Sequence, residues 1–171
     1  MRPDRSSLHV PETDLALSDP NAFSPVVAEV DLDGLRRWCG RWLATLPADA
    51  TVGLVGTLGA GKTTFVQSVA THLGIDAADV TSPTFTMMST YHGRMADQAR
   101  TLHHVDAYRI ADDDAWDELG LDEIIMDGPS WVFIEWADRF PHRMPDWTHW
   151  VRIDLVDADQ RRITVTDRFR D

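Results

Sequence analysis

One segment constrains this chain more than any other. Gly56-x-x-x-x-Gly61-Lys62-Thr63 lies within GTLGAGKTT, between a short β-branched apolar run at 51–55 and a stretch that places Phe65, Val66, Val69, Ala70 and Leu73 on one helical face. Glycine at such a loop lets the backbone turn its N–H groups inward without a Cβ clash. A helix that starts immediately afterwards adds the partial positive charge of its N-terminus. The pattern is a complete P-loop in the required strand–loop–helix context, and it predicts an α/β domain with a phosphate site at the end of a buried strand.

The chain has 16 basic residues, and Lys62 is its only lysine. A compact ammonium suits the β- and γ-phosphates, whereas the long planar guanidinium of arginine does not fit that cradle. The Thr63 hydroxyl is placed to ligate Mg²⁺. With no second lysine, the Asn-Lys-x-Asp segment of guanine-reading P-loop proteins is impossible, so ATP is expected rather than GTP. A P-loop also needs an acid on a neighbouring strand to hold Mg²⁺ or orient water. Glu135 ends the run VFI and Asp106 follows LHHV. A carboxylate at the exit of a buried strand is costly unless it is paired or meets a metal. For Asp106, a plain ion pair with Arg109 is the competing reading.

The 171 residues suffice for one domain with a sizeable core. A formal charge of −12 argues against direct non-specific nucleic-acid binding, which depends on phosphate neutralisation. The single cysteine, Cys39, rules out an internal disulfide framework and a cysteine zinc cluster. No apolar run reaches membrane-spanning length and the N-terminus lacks a continuous hydrophobic region, so a cytoplasmic, acidic, single-domain protein without membrane contact is expected.

Residues 1–25 are rich in Pro, Ser and Asp and read as a disordered tail, with one domain over 26–171. A short strand at 26–30 is followed by a helix capped by Asp31, with Leu32, Leu35, Trp38, Trp42 and Leu46 at helical spacing. Gly74 should end the helix that begins at the P-loop. Strands are expected at 85–91 and 101–108, separated by the polar connection HGRMADQAR. The run Asp112–Asp114 should open a short helix, a role that suits it better than a metal cage. The segment 131–136, WVFIEW, has the pattern of a buried central strand. Strands at 149–156 and 162–167 should form a terminal hairpin around DADQ.

Three other groups of residues invite a functional reading. Thr81, Ser82, Thr84 and Thr86 surround Pro83, and a threonine on such a loop can sense a γ-phosphate; a polar turn is the alternative. His103 and His104 are neighbours on a strand, so they face opposite sides and cannot converge on one ion. Core or surface packing is the expected fate of both. Trp131, Trp136, Trp147 and Trp150 could stack a base, although packing is the usual role of tryptophan.

Taken together, GTLGAGKTTF, SPTFTMMSTY, HHVDAYRI, the ELG at 118–120 and FIEWADR resemble the TsaE (YjeE) family in order and spacing, over residues 26–169. That family comprises bacterial P-loop ATPases required for threonylcarbamoyladenosine formation on tRNA. The resemblance implies a P-loop NTPase-like three-layer α/β domain with a mixed central sheet. It implies ATP and Mg²⁺ as cofactors, with the triphosphate held by Gly59, Ala60, Gly61, Lys62, Thr63 and Thr64 after the opening Gly56, and with Thr63 and Glu135 at the metal. Asp106 would be a second catalytic acid beside Glu135, Thr84 a switch, and Arg161 a second nucleotide contact. Partners would be TsaD-like and TsaB-like proteins that hold the tRNA, which this acidic subunit would meet only indirectly. Thr57 departs from the acid common at that position in the family.

The function so implied is that of a Mg-dependent, slow, partner-dependent ATPase that does not itself transfer the threonylcarbamoyl group. The alternative is a small-molecule kinase, for which Arg139 and Arg143 would have to form a lid over the phosphates. A nucleotide-gated interaction module with negligible turnover is a third class.

Overall fold

In the computed structural model the described residues are 26–167. The expected tail at 1–25 lies outside them. β1 (Val26–Val30) leads into α1 (Leu32–Leu43), whose cap Asp31 accepts from the Gly34 amide. β2 (Ala50–Val55) feeds the glycine-rich loop and α2 (Lys62–His72). β3 (Met88–Met95) and β4 (Gln98–Asp106) precede two short helices, α3 (Asp113–Glu118) and α4 (Leu121–Met126). β5 (Ser130–Glu135), β6 (His149–Leu155) and β7 (Arg161–Thr166) complete the chain.

The strands form a seven-stranded sheet in the order β1-β7-β6-β2-β5-β4-β3. β6, β2, β5 and β4 run parallel at its centre, while β7, β1 and β3 are antiparallel margins. Parallel strands buried on both faces need apolar residues at consecutive positions, and β5 has them. Trp131 and Phe133 pack toward α1 and α2, with Phe65, Val66 and Val69. Val132 and Ile134 pack on the opposite face with Trp116, Leu121 and Phe140. Each such fully buried side chain contributes about 1.5–3 kcal/mol. Two helical layers around a mixed sheet give the P-loop NTPase-like fold, and it places the C-terminal ends of β2, β5 and β4 side by side.

Several expected boundaries shift. The strand expected at 85–91 begins only at Met88, because Met87 is left-handed (φ 59°) and Phe85 is 85% exposed in the preceding turn. The polar connection after it is itself a hairpin. β3 and β4 pair out to Met95 and Gln98 around Ala96 and Asp97, whose positive φ values (45° and 65°) match a tight two-residue turn. Its polarity reflects a solvated sheet margin. β4 ends at Asp106, with residues 107–109 in a 3₁₀ turn. α1 stops at Leu43, before Leu46, which still packs against the core from the following turn.

Candidate functional site

β2 delivers the chain to the loop, and the loop's geometry needs its glycines. Gly59 and Gly61 have φ of 78° and 108°, a region closed to most side chains. A Cβ on Gly56 would stand 2.5 Å from the Ile153 carbonyl oxygen of β6. Gly61 is also the N-cap of α2 and offers no side-chain acceptor, so the amides of the first turn face the loop uncapped.

Lys62 lies across this loop. Its Nζ donates to the carbonyls of Gly56 (2.8 Å) and Thr57 (3.1 Å) and sits 3.6 Å from the centre of the Trp136 ring. Burial pushes the ammonium below its usual range, opposed by the charges of Glu135, Asp138 and Asp106.

The acids reach the same cleft from two adjacent strands. Asp106 and Glu135 are register partners at the ends of parallel β4 and β5. Thr63 donates to Glu135 Oε1 at 2.7 Å, joining the first turn of α2 to β5. Asp106 Oδ2 accepts from Ser82 (3.0 Å) and Thr84 (3.1 Å), and its Oδ1 accepts from the Tyr108 amide at 3.0 Å. No ion pair joins Asp106 to Arg109 among the described residues; the Arg109 guanidinium lies 4.8 Å from the Phe85 ring instead.

Loop, acids and hydroxyls line one open cleft of about 410 Å³, walled by Leu58, Gly59, Gly61, Lys62, Thr63, Thr64, Ser82, Thr84, Asp106, Tyr108, Glu135 and Trp136. One end offers amides and an ammonium, the other hydroxyl and carboxylate oxygens. An anion fits the first and a hard cation the second. Gly56, Ala60 and Arg161 act from behind the lining. Arg161 Nε donates to the Ala60 carbonyl at 3.0 Å, and its Nη1 donates to the carbonyls of Asp157, Ala158 and Gln160, so the β6–β7 hairpin holds the loop by its backbone. Arg139 donates to the carbonyls of Ala107 and Tyr108, and Arg143 pairs with Asp117 and Asp122. Both lid candidates of the kinase reading are thereby tied to the body of the domain.

The family model for threonylcarbamoyl adenosine biosynthesis protein TsaE matches residues 32–164. The chain belongs to the TsaE family. Its match runs from α1 to β7 and takes in every candidate site residue from Gly56 to Arg161. The tRNA threonylcarbamoyladenosine biosynthesis protein TsaE of Treponema pallidum is 38% identical over 120 residues, 70% of this chain and 84% of that protein. The TsaE of Streptomyces coelicolor is 38% identical over 136 residues, 76% and 88% of the two chains. The crystal structure of Bacillus subtilis YdiB superposes with a TM-score of 0.63 at 28% identity, covering 83% of this chain and 84% of that one.

Within this TsaE-family site, reasoning from sequence missed the contacts of three residues: it expected packing for His104 and base stacking or packing for Trp136, and it did not single out Tyr108. His104 is fully buried and bonded to Glu135. Trp136 caps Lys62 where it leaves β5, at a left-handed φ of 60°, and Tyr108 packs on it with ring centres 5.1 Å apart. For Trp136 the signal was its place directly after the acid; Trp131 and Trp150 are core residues, as expected, and Trp147 is exposed.

Proposed function

We propose that this chain binds ATP with Mg²⁺ in the cleft and hydrolyses it slowly, as a subunit required for threonylcarbamoyladenosine formation on tRNA. The observation that carries the reading is the Thr63–Glu135 contact beside Lys62, which joins a phosphate loop to a strand-end acid in a member of the TsaE family. The loop amides from Gly59 to Thr64 would wrap the phosphates, and Lys62 would leave the Gly56 and Thr57 carbonyls to meet the β- and γ-phosphates.

The donor set fits Mg²⁺. It offers a hydroxyl and carboxylates, hard oxygens with no sulfur or imidazole facing the cleft. No group of three or more His, Cys, Asp or Glu among the described residues is arranged to hold a metal alone, which suits an ion that keeps waters and shares its ligands with a nucleotide. Thr63 and Glu135 would hold it. When bound, the ion neutralises charge on the transferring phosphoryl group. Asp106, held by Ser82, Thr84 and the Tyr108 amide, would orient water at the γ-phosphate.

The charge of −12 makes tRNA an unsuitable direct ligand, so the effect on modification would pass through TsaD-like and TsaB-like proteins. No helix among the described residues is long and apolar enough to cross a membrane. The test is fluorescent ATP-analogue titration and phosphate release on wild type, Lys62→Ala and Glu135→Gln, with and without those partners. Lys62→Ala should lose binding. Glu135→Gln should bind but hydrolyse about 10²–10³-fold more slowly, and partners should raise the wild-type rate. Unchanged affinity in Lys62→Ala would refute the phosphate site.

A further inference from the structure

Alternate residues of β4 point to one face of the sheet, so Leu102, His104 and Asp106 all face α2. Leu102 is core and Asp106 reaches the cleft. Between them His104 is completely buried, with Nε2 2.8 Å from Glu135 Oε1, the same oxygen that accepts from Thr63. An ionised carboxylate only accepts, so Nε2 carries the hydrogen. The other ring nitrogen, Nδ1, is buried and has no hydrogen-bond partner among the described residues.

A histidine that served only to fill space would be a poor choice here. Its register partner is Phe133, and an aliphatic side chain would pack there without stranding a polar nitrogen. The ring's one satisfied polar atom is the one that touches Glu135. With Thr63 and His104 both donating to Oε1, that oxygen's two lone pairs are occupied and the remaining acceptor capacity of the carboxylate lies on Oε2.

We propose that His104 is a positioning residue for Glu135, whose buried Nε2–H holds the carboxylate so that its free acceptor capacity is presented to a divalent cation. The inference rests on the reading of Thr63 and Glu135 as the cation-holding pair. It gives the histidine no proton to transfer and no contact with nucleotide. Outer partners of metal-holding carboxylates commonly contribute about 10–100-fold to metal affinity.

Mn²⁺ serves as the probe, with free ion measured by electron paramagnetic resonance in the presence of ADP, and with ADP affinity measured separately in EDTA. Wild type, His104→Leu and His104→Gln are compared. The leucine removes the donor at similar volume, and the glutamine retains an N–H that can reach the carboxylate. His104→Leu should weaken Mn²⁺ binding by about 10–100-fold while metal-free ADP affinity stays unchanged, and His104→Gln should recover most of the loss. Should His104→Leu fail to fold, His104→Asn, whose shorter amide falls short of Glu135, takes its place against His104→Gln with the same expectation. Wild-type Mn²⁺ affinity in the donor-less variant overturns the inference, as does a loss of metal-free ADP affinity equal to the loss of Mn²⁺ affinity, which marks general damage. Wild-type protein that binds ADP but no Mn²⁺ overturns the underlying metal pair instead, so the two failures are distinguishable.

Discussion

At the scale of single residues the site is held by hydrogen bonds that a ligand would have to exchange. Lys62 has carbonyls and a tryptophan face as partners, and the hydroxyls of Ser82 and Thr84 converge on one oxygen of Asp106, 2.8 Å from each other. Trp136 holds a left-handed backbone that costs of order 1–3 kcal/mol for a non-glycine residue, at the one point where strand, acid and lysine meet. Thr84 is the residue whose partner would change with nucleotide state, because Asp106 faces the same cleft. A ligand shifts a conformational equilibrium only by its differential affinity for the two states. Thr84→Ala is therefore expected to bind ATP normally but to lose the contrast between ATP- and ADP-bound affinity for a TsaD–TsaB-like complex. With coupling of about 1–3 kcal/mol, wild type should show at least about a fivefold contrast. Partner affinity measured with ATP, ADP and no nucleotide decides it; a wild-type protein indifferent to nucleotide would defeat the switch.

Elements decide how those residues meet. β6 stands beside β2, and its first residue, His149, packs edge-on to Trp42 of α1 with ring centres 6.4 Å apart. Burial holds the His149 imidazole below its usual value, opposed by Asp167. The native chain then binds this proton less readily than the unfolded chain. Between the folded value and the ordinary value near 6.5, stability falls as the pH drops, and the deficit persists below that window. His103 is lowered too, by burial and by His92, so it adds to the same slope. His149→Phe keeps an aromatic ring against Trp42 and removes one titrating group. Its melting temperature should decline less than that of wild type between pH 8 and pH 5; parallel declines would clear His149 of the effect. The β3–β4 hairpin shows where reading elements from sequence stopped. Its residues are polar because they border the sheet, and polarity between two apolar runs reads as a loop.

For the molecule as a whole, Cys39 reports on the integrity of the α1–α2 layer. It has no exposure, and burial pushes its thiol up to about 12. The thiolate is the reactive form, so native protein at pH 8 should resist a disulfide reagent such as DTNB and label only as fast as the chain opens. Fast stoichiometric labelling without denaturant would show that this layer is loose. Under the proposed function, ATP with Mg²⁺ is expected to slow labelling further, since a ligand that binds only the native state opposes opening.

The glycine-rich loop, the strand–loop–helix around it, the strand-end positions of Asp106 and Glu135 and the buried strand at 131–136 were legible in the sequence, because each rests on local requirements: glycine where φ is positive, β-branched runs where both sheet faces are covered, helical spacing where one face is. The family too was legible, since its motifs are contiguous. That β6, β2, β5 and β4 run parallel was not legible. Only the tertiary structure decided which oxygen of Glu135 meets Thr63, that His104 stands beneath it, that Arg161 holds the loop by the Ala60 carbonyl, and that Trp136 lies over Lys62. Those contacts join residues 31 to 101 positions apart, with charge and burial set by strands that are neighbours in the sheet but distant along the chain. Spacing in sequence carries no information about them.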